Sequence, residues 1–338
     1  MKRLLIAFTL VLLAAPLFAQ SDRAVLLTSD GTLYSVDTLS NDGTVSSLSN
    51  RYLVLTAVTS RGTTKTPVPA TLTGGHNWQP ALAYDDDSQT LFVLWLRSAN
   101  SLLATNELVF CSYQSGKWNA ISAVENVPYH FRYNLRVGVT RTVEVSEGEG
   151  TTQVPGLSVH VAWWSESGSA EGARYAMLTV EKGNVTDVYV RPLEEMIERT
   201  FLRVFPANAN TRSFMRHPAV FESPNRDTID VVFGDTVTNT MHRITLKPVN
   251  NHRVRIPIGI RDASYPVPQM SLATDADSAI NIVPSTPDRL VFYTTERGSL
   301  KYLIFEGGRW APKVQSIALT DVSASEAVAA LRKMVNGD

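Results

Sequence analysis

Residues 108–125, LVFCSYQSGKWNAISAVE, and residues 300–319, LKYLIFEGGRWAPKVQSIAL, spell one sentence at two distant places in the chain: an alternating run, Gly-Lys/Arg-Trp, a second alternating run. Self-similarity of this kind constrains a fold more than local propensity does, because each copy builds one unit that must bury its faces on the next. Walking outwards from the two hairpins, a four-run unit recurs five times. The first run often opens with Pro, the second is the most apolar, the third alternates, and the fourth alternates with more polar residues. The copies fall at 23–29, 32–40, 51–59 and 65–73; at 79–84, 90–97, 107–114 and 118–125; at 132–139, 157–164, 173–181 and 185–193; at 217–222, 228–235, 241–248 and 252–260; and at 267–274, 289–296, 300–306 and 310–319.

Period-two alternation over five to nine residues, rich in Val, Tyr, Thr and Trp and bounded by Gly, Asn and Asp, reads as strand. The second run loses its alternation, as in LFVLWL (91–96), which is expected of a strand covered on both faces. Repeated four-stranded units with sandwiched inner strands and polar outer strands predict a single-domain, all-β propeller spanning residues 20–320. The count of copies gives five blades; six is the alternative, because the first copy is the weakest. Two segments break the pattern. Residues 194–216 carry Met196, Ile197, Phe201 and Leu202 at helical spacing and predict a short helix plus loop inserted between the third and fourth units. Residues 321–338 contain a capping box, Ser323 with Glu326, and an apolar stripe through Ala327, Leu331 and Val335, and predict a C-terminal helix.

Lys2 and Arg3, the apolar stretch Leu4 to Leu13 and the small residue Ala19 form the pattern of a secretory signal peptide over residues 1–19. The apolar core is too short for a membrane-spanning helix, so a secreted or periplasmic location is expected after cleavage, with no stable membrane insertion. The single cysteine, Cys111, has no internal disulfide partner and alternates with Phe110 and Tyr113 in an apolar run, which makes it a buried, inert thiol. The chain has 31 basic residues, two of them in the leader, against 32 acidic ones. That balance excludes a nucleic-acid footprint and a polybasic membrane patch. A monomer without cofactor or metal is expected.

Strands opening with Gln79-Pro80-Ala81-Leu82 and His217-Pro218-Ala219-Val220, together with the Gly-Lys/Arg-Trp turns, resemble blades of the sialidase-like propeller superfamily, which is also similar to the five-bladed arabinanase-type glycosidases. The resemblance lies in blade grammar. The Asp-box of sialidase blades is absent, and Ser29-Asp30-Gly31-Thr32 shares only its turn letters. Phe131-Arg132-Tyr133-Asn134 is similar to the Phe-Arg-Ile-Pro that carries a substrate arginine in sialidases, but lacks the Pro and sits in the second connection, so no catalytic role passes to Arg132.

In such a fold the connections between second and third strands, and between successive units, share one end of the central channel, where ligands prefer to bind. They bring together His76, Asn77, Trp78, Tyr129, Arg216, His217, Arg261, Asp262 and Tyr265 with the second-strand ends Arg97, Glu166, Asp235, Glu296 and Arg297. Three readings stand. A binding propeller would recognise a glycan, peptide or envelope partner through the aromatics Trp78 and Tyr129 and the cations Arg97, Arg216, His217 and Arg297. A glycoside hydrolase would use two of Asp235, Glu296 and Glu166 across one bond. A structural module would use none, strand-end polar groups simply meeting water. Asp85-Asp86-Asp87 admits a calcium reading, but its hairpin position favours a solvated turn. Asn184-Val185-Thr186 is a glycosylation sequon. Asp85–Asp87, Gly116-Lys117 and Gly307-Gly308 are expected at the end opposite the site.

Overall fold

The sentence repeated in the sequence is a hairpin device. In the computed structural model, Ser115-Gly116, Lys182-Gly183 and Gly307-Gly308 each hold two successive positive φ angles (49° and 81°, 51° and 79°, 56° and 80°). That is the two-residue turn whose twist matches antiparallel strands, and it fixes their register. The Trp that follows then faces an aromatic across the ladder: Trp118 pairs with Tyr113 at 4.8 Å between ring centroids, and Trp310 with Phe305 at 5.1 Å.

The structure describes residues 23–40, 51–72, 76–98, 106–127, 131–147, 150–166, 172–197, 218–235, 240–251, 254–266, 281–286, 288–296, 298–320, 322 and six positions within 326–334. Their strands form five antiparallel meanders. The first comprises β1 (Arg23–Leu27), β2 (Leu33–Ser40), β3 (Arg51–Thr59) and β4 (Gly62–Pro67). The second comprises β5 (His76–Asp85), β6 (Thr90–Ser98), β7 (Asn106–Gln114), and a broken outer strand, β8 (Lys117–Trp118) and β9 (Ser122–Val127). The third is β10 (Phe131–Glu147), β11 (Gly150–Glu166), β12 (Gly172–Glu181) and β13 (Asn184–Pro192). The fourth is β14 (Ala219–Glu222), β15 (Ile229–Asp235), β16 (Thr240–Asn251) and β17 (Val254–Pro266). The fifth is β18 (Asn281–Thr286), β19 (Arg289–Glu296), β20 (Ser299–Glu306), and the broken β21 (Arg309–Trp310) and β22 (Gln315–Ala318). First strands pack in succession, β1 on β5, β5 on β10, β10 on β14 and β14 on β18, which is how the inner strands of a propeller meet.

The core lies between sheets. On β6, Leu91, Val93 and Trp95 pack against Val36, Leu53 and Leu55 of the first meander, while Phe92, Leu94 and Leu96 pack against Val159, Val161 and Trp163 of the third. Both faces are thus dry, which explains the lost alternation. Each such side chain contributes roughly 1.5–3 kcal/mol of burial. Cys111 lies in the same layer, and burial pushes its thiol pKa up, as expected of an inert group.

Four sequence expectations need correction. The first strand of the fifth meander is 281–286, not 267–274, which lies outside the described residues; a tight turn before Arg289 feeds it straight into β19. The fourth strand of the first meander is 62–67 rather than 65–73, because the chain turns at Ser60-Arg61 and then enters a 3₁₀ turn at Pro69–Thr71. Residues 140–156, taken as loop, extend the β10–β11 hairpin into an arm that pairs Thr142 with Pro155 through to Glu147 with Gly150. This arm joins the third and fourth meanders by parallel pairing of Glu144 and Val145 with Val249 and Asn250, beside a Lys247–Glu144 ion pair. The helix expected from residue 194 is, over the described residues, only a 3₁₀ turn at Leu193–Met196, and Ile197 is extended (φ −103°, ψ 140°). Glu326, Ala327, Ala330, Leu331, Lys333 and Met334 have helical backbone, and Ala327 and Leu331 are buried against Val291, Tyr293, Leu300 and Tyr302 of the fifth meander.

Candidate functional site

The inner strands of the second and third meanders carry the same irregularity near their starts. On β5, Trp78 pairs with Leu96 and Ala81 with Leu94, so Gln79 and Pro80 stand opposite Trp95 alone. On β10, Tyr133 pairs with Trp164 and Arg136 with Ala162, so Asn134 and Leu135 stand opposite Trp163. Bulges of this kind re-aim side chains and gather at rims and sites. Gln79 adopts φ +50°, costly for a residue with a side chain. Asn77 is fully buried; its Oδ1 accepts from Trp95 Nε1 at 2.9 Å and its Nδ2 donates to the Arg51 carbonyl at 2.7 Å. Beside it, His76 Nδ1 and Gln79 Oε1 are buried polar atoms without a partner among the described residues. His76 meets Trp78 edge-on at 6.5 Å, and Trp78 packs its other surface on the core between the second and third meanders.

Of the residues expected at this end, Arg97 is already engaged: its Nη2 and Nε lie 2.6 and 2.8 Å from Glu107 Oε2 on the neighbouring strand, so its fork is filled from within. Glu166, Asp235 and Glu296 end β11, β15 and β19, opposite Phe131, Thr240 and Ser299. Their side chains, and Tyr129, Arg216, His217 and Arg297 altogether, lie outside the described residues. The expected separation of the two ends fails in the fifth meander. A Cβ on Gly308 would sit 3.2 Å from the Tyr265 ring, and Tyr265 packs on Phe305 at 4.8 Å. Yet Tyr265 pairs with Met241, next to the Asp235 end of the fourth meander. Asp288, at the first hairpin of the fifth meander, reaches mid-sheet Arg243 at 2.5 Å. The fifth meander is therefore displaced relative to the fourth, and the Gly307-Gly308 turn is level with part of the expected site.

In the Asp85–Asp87 hairpin, Asp85 and Asp86 are drawn into ion pairs and only Asp87 is largely exposed. Asp85 is 3% exposed and accepts from Ser88 N at 3.0 Å, Ser88 Oγ at 2.6 Å and Arg141 Nε at 2.5 Å. Arg141 also reaches Asp86 at 3.4 Å and Asp87 at 3.1 Å. Arg226 binds Asp86 at 3.0 Å and Glu222 at 2.9 Å, while Glu222 accepts from the Val139 amide at 2.8 Å. Ser29 of the first meander donates to Asp86 at 2.6 Å. One charge cluster thus ties the first hairpins of four meanders together. Burial raises the Asp85 pKa, but Ser88 and Arg141 outweigh it and the net shift is downward; for Glu222 burial wins and the shift is upward. Sequence reasoning missed Arg141 and Arg226 because, Glu222 apart, their partners lie 55 to 142 positions away.

His160 is a satisfied core histidine. Its Nε2 meets Thr140 Oγ1 at 2.8 Å and its Nδ1 meets Tyr175 Oη at 2.6 Å, and burial pushes its pKa down to about 3, with Arg255 adding to the shift. Among the described residues no group of His, Cys, Asp and Glu is arranged to hold a metal ion. No described helix is long and apolar enough to cross a membrane.

No protein-family model and no curated protein matches the chain. Among solved structures it is similar to the Hadza microbial sialidase Hz136, with 12% identity over 88% of this chain and a TM-score of 0.45; it spans 58% of that protein's length. It is also similar to a GH43_1 enzyme from Xanthomonas citri complexed with xylotriose (10% identity, 92% of each chain, TM-score 0.33) and to a GH43_12 retrieved from capybara gut metagenome (10% identity, 90% of this chain and 69% of that one, TM-score 0.26). At TM-scores below 0.5 these likenesses carry no weight for the chemistry of this chain, which rests on its own residues.

Proposed function

We propose that this chain is an exported five-bladed propeller that binds a glycan, peptide or envelope partner at the Trp78 end of its channel. The observation that carries the reading is the strained bulge at Gln79, with two buried polar atoms that have no partner among the described residues beside a half-buried indole. Strain and orphan polar groups cost stability, and they persist where a ligand uses them. Trp78 offers a face for stacking on a sugar ring or a peptide's apolar anchor, and His76 and Gln79 offer polar complements. Hydrolysis asks more: two carboxylates about 5–9.5 Å apart. Glu296 lies seven residues along β19 from Arg289, roughly 23 Å at strand rise, and Arg289 neighbours the displaced hairpin, which weighs against Asp235 and Glu296 as a facing pair.

Residues 1–19 are the proposed leader, 20–320 the propeller and 321–338 a helix docked on the fifth blade. Intact mass of protein exported from a secreting host should begin at Gln20. The function is tested by screening the mature protein on a glycan array and against chromogenic glycosides. Binding that is lost in Trp78→Ala and kept in Lys117→Ala supports the reading; turnover of a glycoside, or binding indifferent to Trp78, refutes it.

A further inference from the structure

The second and fifth meanders carry the same outer hairpin in the same register. In the fifth, Phe292 pairs with Leu303, Leu290 with Phe305 and Phe305 with Trp310. In the second, Val93 pairs with Cys111, Leu91 with Tyr113 and Tyr113 with Trp118. Position for position, Val93 stands for Phe292, Cys111 for Leu303, Tyr113 for Phe305 and Trp118 for Trp310.

The two hairpins are filled differently. Trp310 lies 5.5 Å from the Phe292 ring and 5.1 Å from that of Phe305. Tyr265, the residue before the Pro that ends the preceding outer strand, packs on Phe305 at 4.8 Å. Val314, just ahead of the strand that resumes the ladder at Gln315, packs on the same core. In the second meander each of these positions fills less space. Val93 and Cys111 are the smaller partners, Thr66 is the residue before the Pro that ends β4, and Ile121, just ahead of Ser122, is 40% exposed. A Cβ on Gly308 would meet the Tyr265 ring at 3.2 Å, whereas one on Gly116 would meet nothing within 4 Å.

What is left is a cavity of about 230 Å³ between the first and second meanders, lined by Val68, Pro69, Cys111, Trp118 and the break in the outer strand at Asn119, Ala120 and Ile121. Its polar neighbour is already engaged, since Asn119 Nδ2 donates to Ser112 Oγ at 2.7 Å. The lining therefore offers an indole and aliphatic groups, and an apolar occupant restores the contacts that a void forfeits. The volume suits one substituted ring: an apolar cavity of roughly 150 Å³ admits benzene, and sites for drug-sized ligands begin at about 300 Å³. Apolar surface continues past the mouth, where Ile121 and Leu72 (55%) are exposed. A ring alone would leave that rim wet, whereas a ring carried on a polypeptide covers it, as Tyr265 is carried on a strand in the fifth meander.

We propose that this cavity receives an aromatic side chain of a partner polypeptide, which supplies from outside the packing that the fifth-meander hairpin obtains from its own chain. The site is separate from the Trp78 end: Cys111 and Trp118 belong to the layer between the first and second meanders, and Trp78 packs between the second and third.

The test uses the full mature chain and three probes: p-cresol, acetyl-Ser-Tyr-Pro-amide, which copies residues 264–266, and acetyl-Ser-Ala-Pro-amide. In thermal shift and ligand-observed NMR, p-cresol and the tyrosyl peptide should bind saturably and the alanyl peptide should not. The tyrosyl peptide should bind about tenfold more tightly than p-cresol, because it also covers the rim. Cys111→Leu, which installs the residue of the fifth-meander hairpin, should grow into the cavity. Its Tm should equal or exceed that of wild type, and both ligands should bind weaker by about tenfold or more. Ile121→Ser should keep the Tm and bring the tyrosyl peptide down to the affinity of p-cresol. A lower Tm in Cys111→Leu would show that the space is already filled and overturns the proposal. So do a wild type that binds neither ligand, binding that survives in Cys111→Leu, and an alanyl peptide that binds as well as the tyrosyl one. Binding of p-cresol with exclusion of the tyrosyl peptide would make the occupant a free small molecule and overturn the polypeptide reading.

Discussion

Arg141→Ala should be the most damaging single substitution among the partly exposed charged residues described, because one guanidinium serves three carboxylates. Its contacts run to Asp85 at 2.5 Å, Asp87 at 3.1 Å and Asp86 at 3.4 Å, with about a quarter of the Arg141 side chain exposed and only 5% of that of Asp85. Removing the cation leaves the Asp85 charge out of water with only the Arg226 guanidinium, 3.9 Å away, as counter-ion. Breaking a buried pair costs roughly 3–5 kcal/mol, and the partial exposure of Arg141 places the loss near the lower end, about 3 kcal/mol. In urea unfolding of the mature chain, with m of order 3 kcal/mol/M for a protein of this size, the midpoint should fall by about 1 M with m unchanged. The pH dependence supplies a second readout. Asp85 binds its proton less tightly folded than unfolded, so its contribution is present above the unfolded value of about 3.9 and is lost as pH falls through its lower folded value. Wild-type stability should therefore drop on acidification below about pH 4, and Arg141→Ala should show a shallower drop. A loss under about 1 kcal/mol, the yield of an exposed pair, with an unchanged pH profile would refute the reasoning.

Other perturbations follow from the same contacts. Glu222 has a raised pKa, so its contribution runs the opposite way, present below the unfolded value and lost as pH rises through the folded one; Glu222→Gln should change the urea midpoint little at pH 7. His160 is held neutral with a pKa of about 3 against roughly 6.5 unfolded, so stability should decline as pH falls from about 6.5 toward 3, and His160→Gln should remove up to one proton of that slope in a pH series of unfolding curves. Gly183→Ala combines φ +79° with a Cβ 2.1 Å from Asn119 Nδ2 and should cost roughly 1–3 kcal/mol by thermal or urea unfolding. Gly138→Ala, with its Cβ 2.7 Å from Ile229 Cδ1, should cost a similar roughly 1–3 kcal/mol through overpacking between the third and fourth meanders.

Strand grammar was legible because its causes are local. LFVLWL loses alternation since both its faces are covered, and Gly-Lys/Arg-Trp recurs since a two-residue turn followed by an indole sets a cross-strand pair. The β10–β11 arm was hidden by its own punctuation: Gly148, Gly150 and Pro155 interrupt TVEV and TTQV, yet the hairpin closes because Gly150 opens its second strand and Pro155 stands at its register shift. The start of the fifth meander was missed because Pro284 stands inside so short a run, and Pro287 follows it, that it reads as loop. Of the candidate site, Trp78 was legible from its place before a Pro-Ala strand. The charge cluster was out of reach, since ion pairs leave no periodic trace in sequence.

The placement of the C-terminal segment bears on how the meanders come apart. Among the described residues no strand of the first meander pairs with one of the fifth, and Ala327 and Leu331 cover the face of the fifth that points away from the fourth. The chain's two ends are therefore not stitched into a common sheet. The first and last meanders share no ladder among the described residues, whereas a shared core crosses every boundary between successive meanders, and the charge cluster further ties the first four together. Hydrogen exchange should accordingly spread inward from β1 and β22, with the β6 and β11 amides last to exchange.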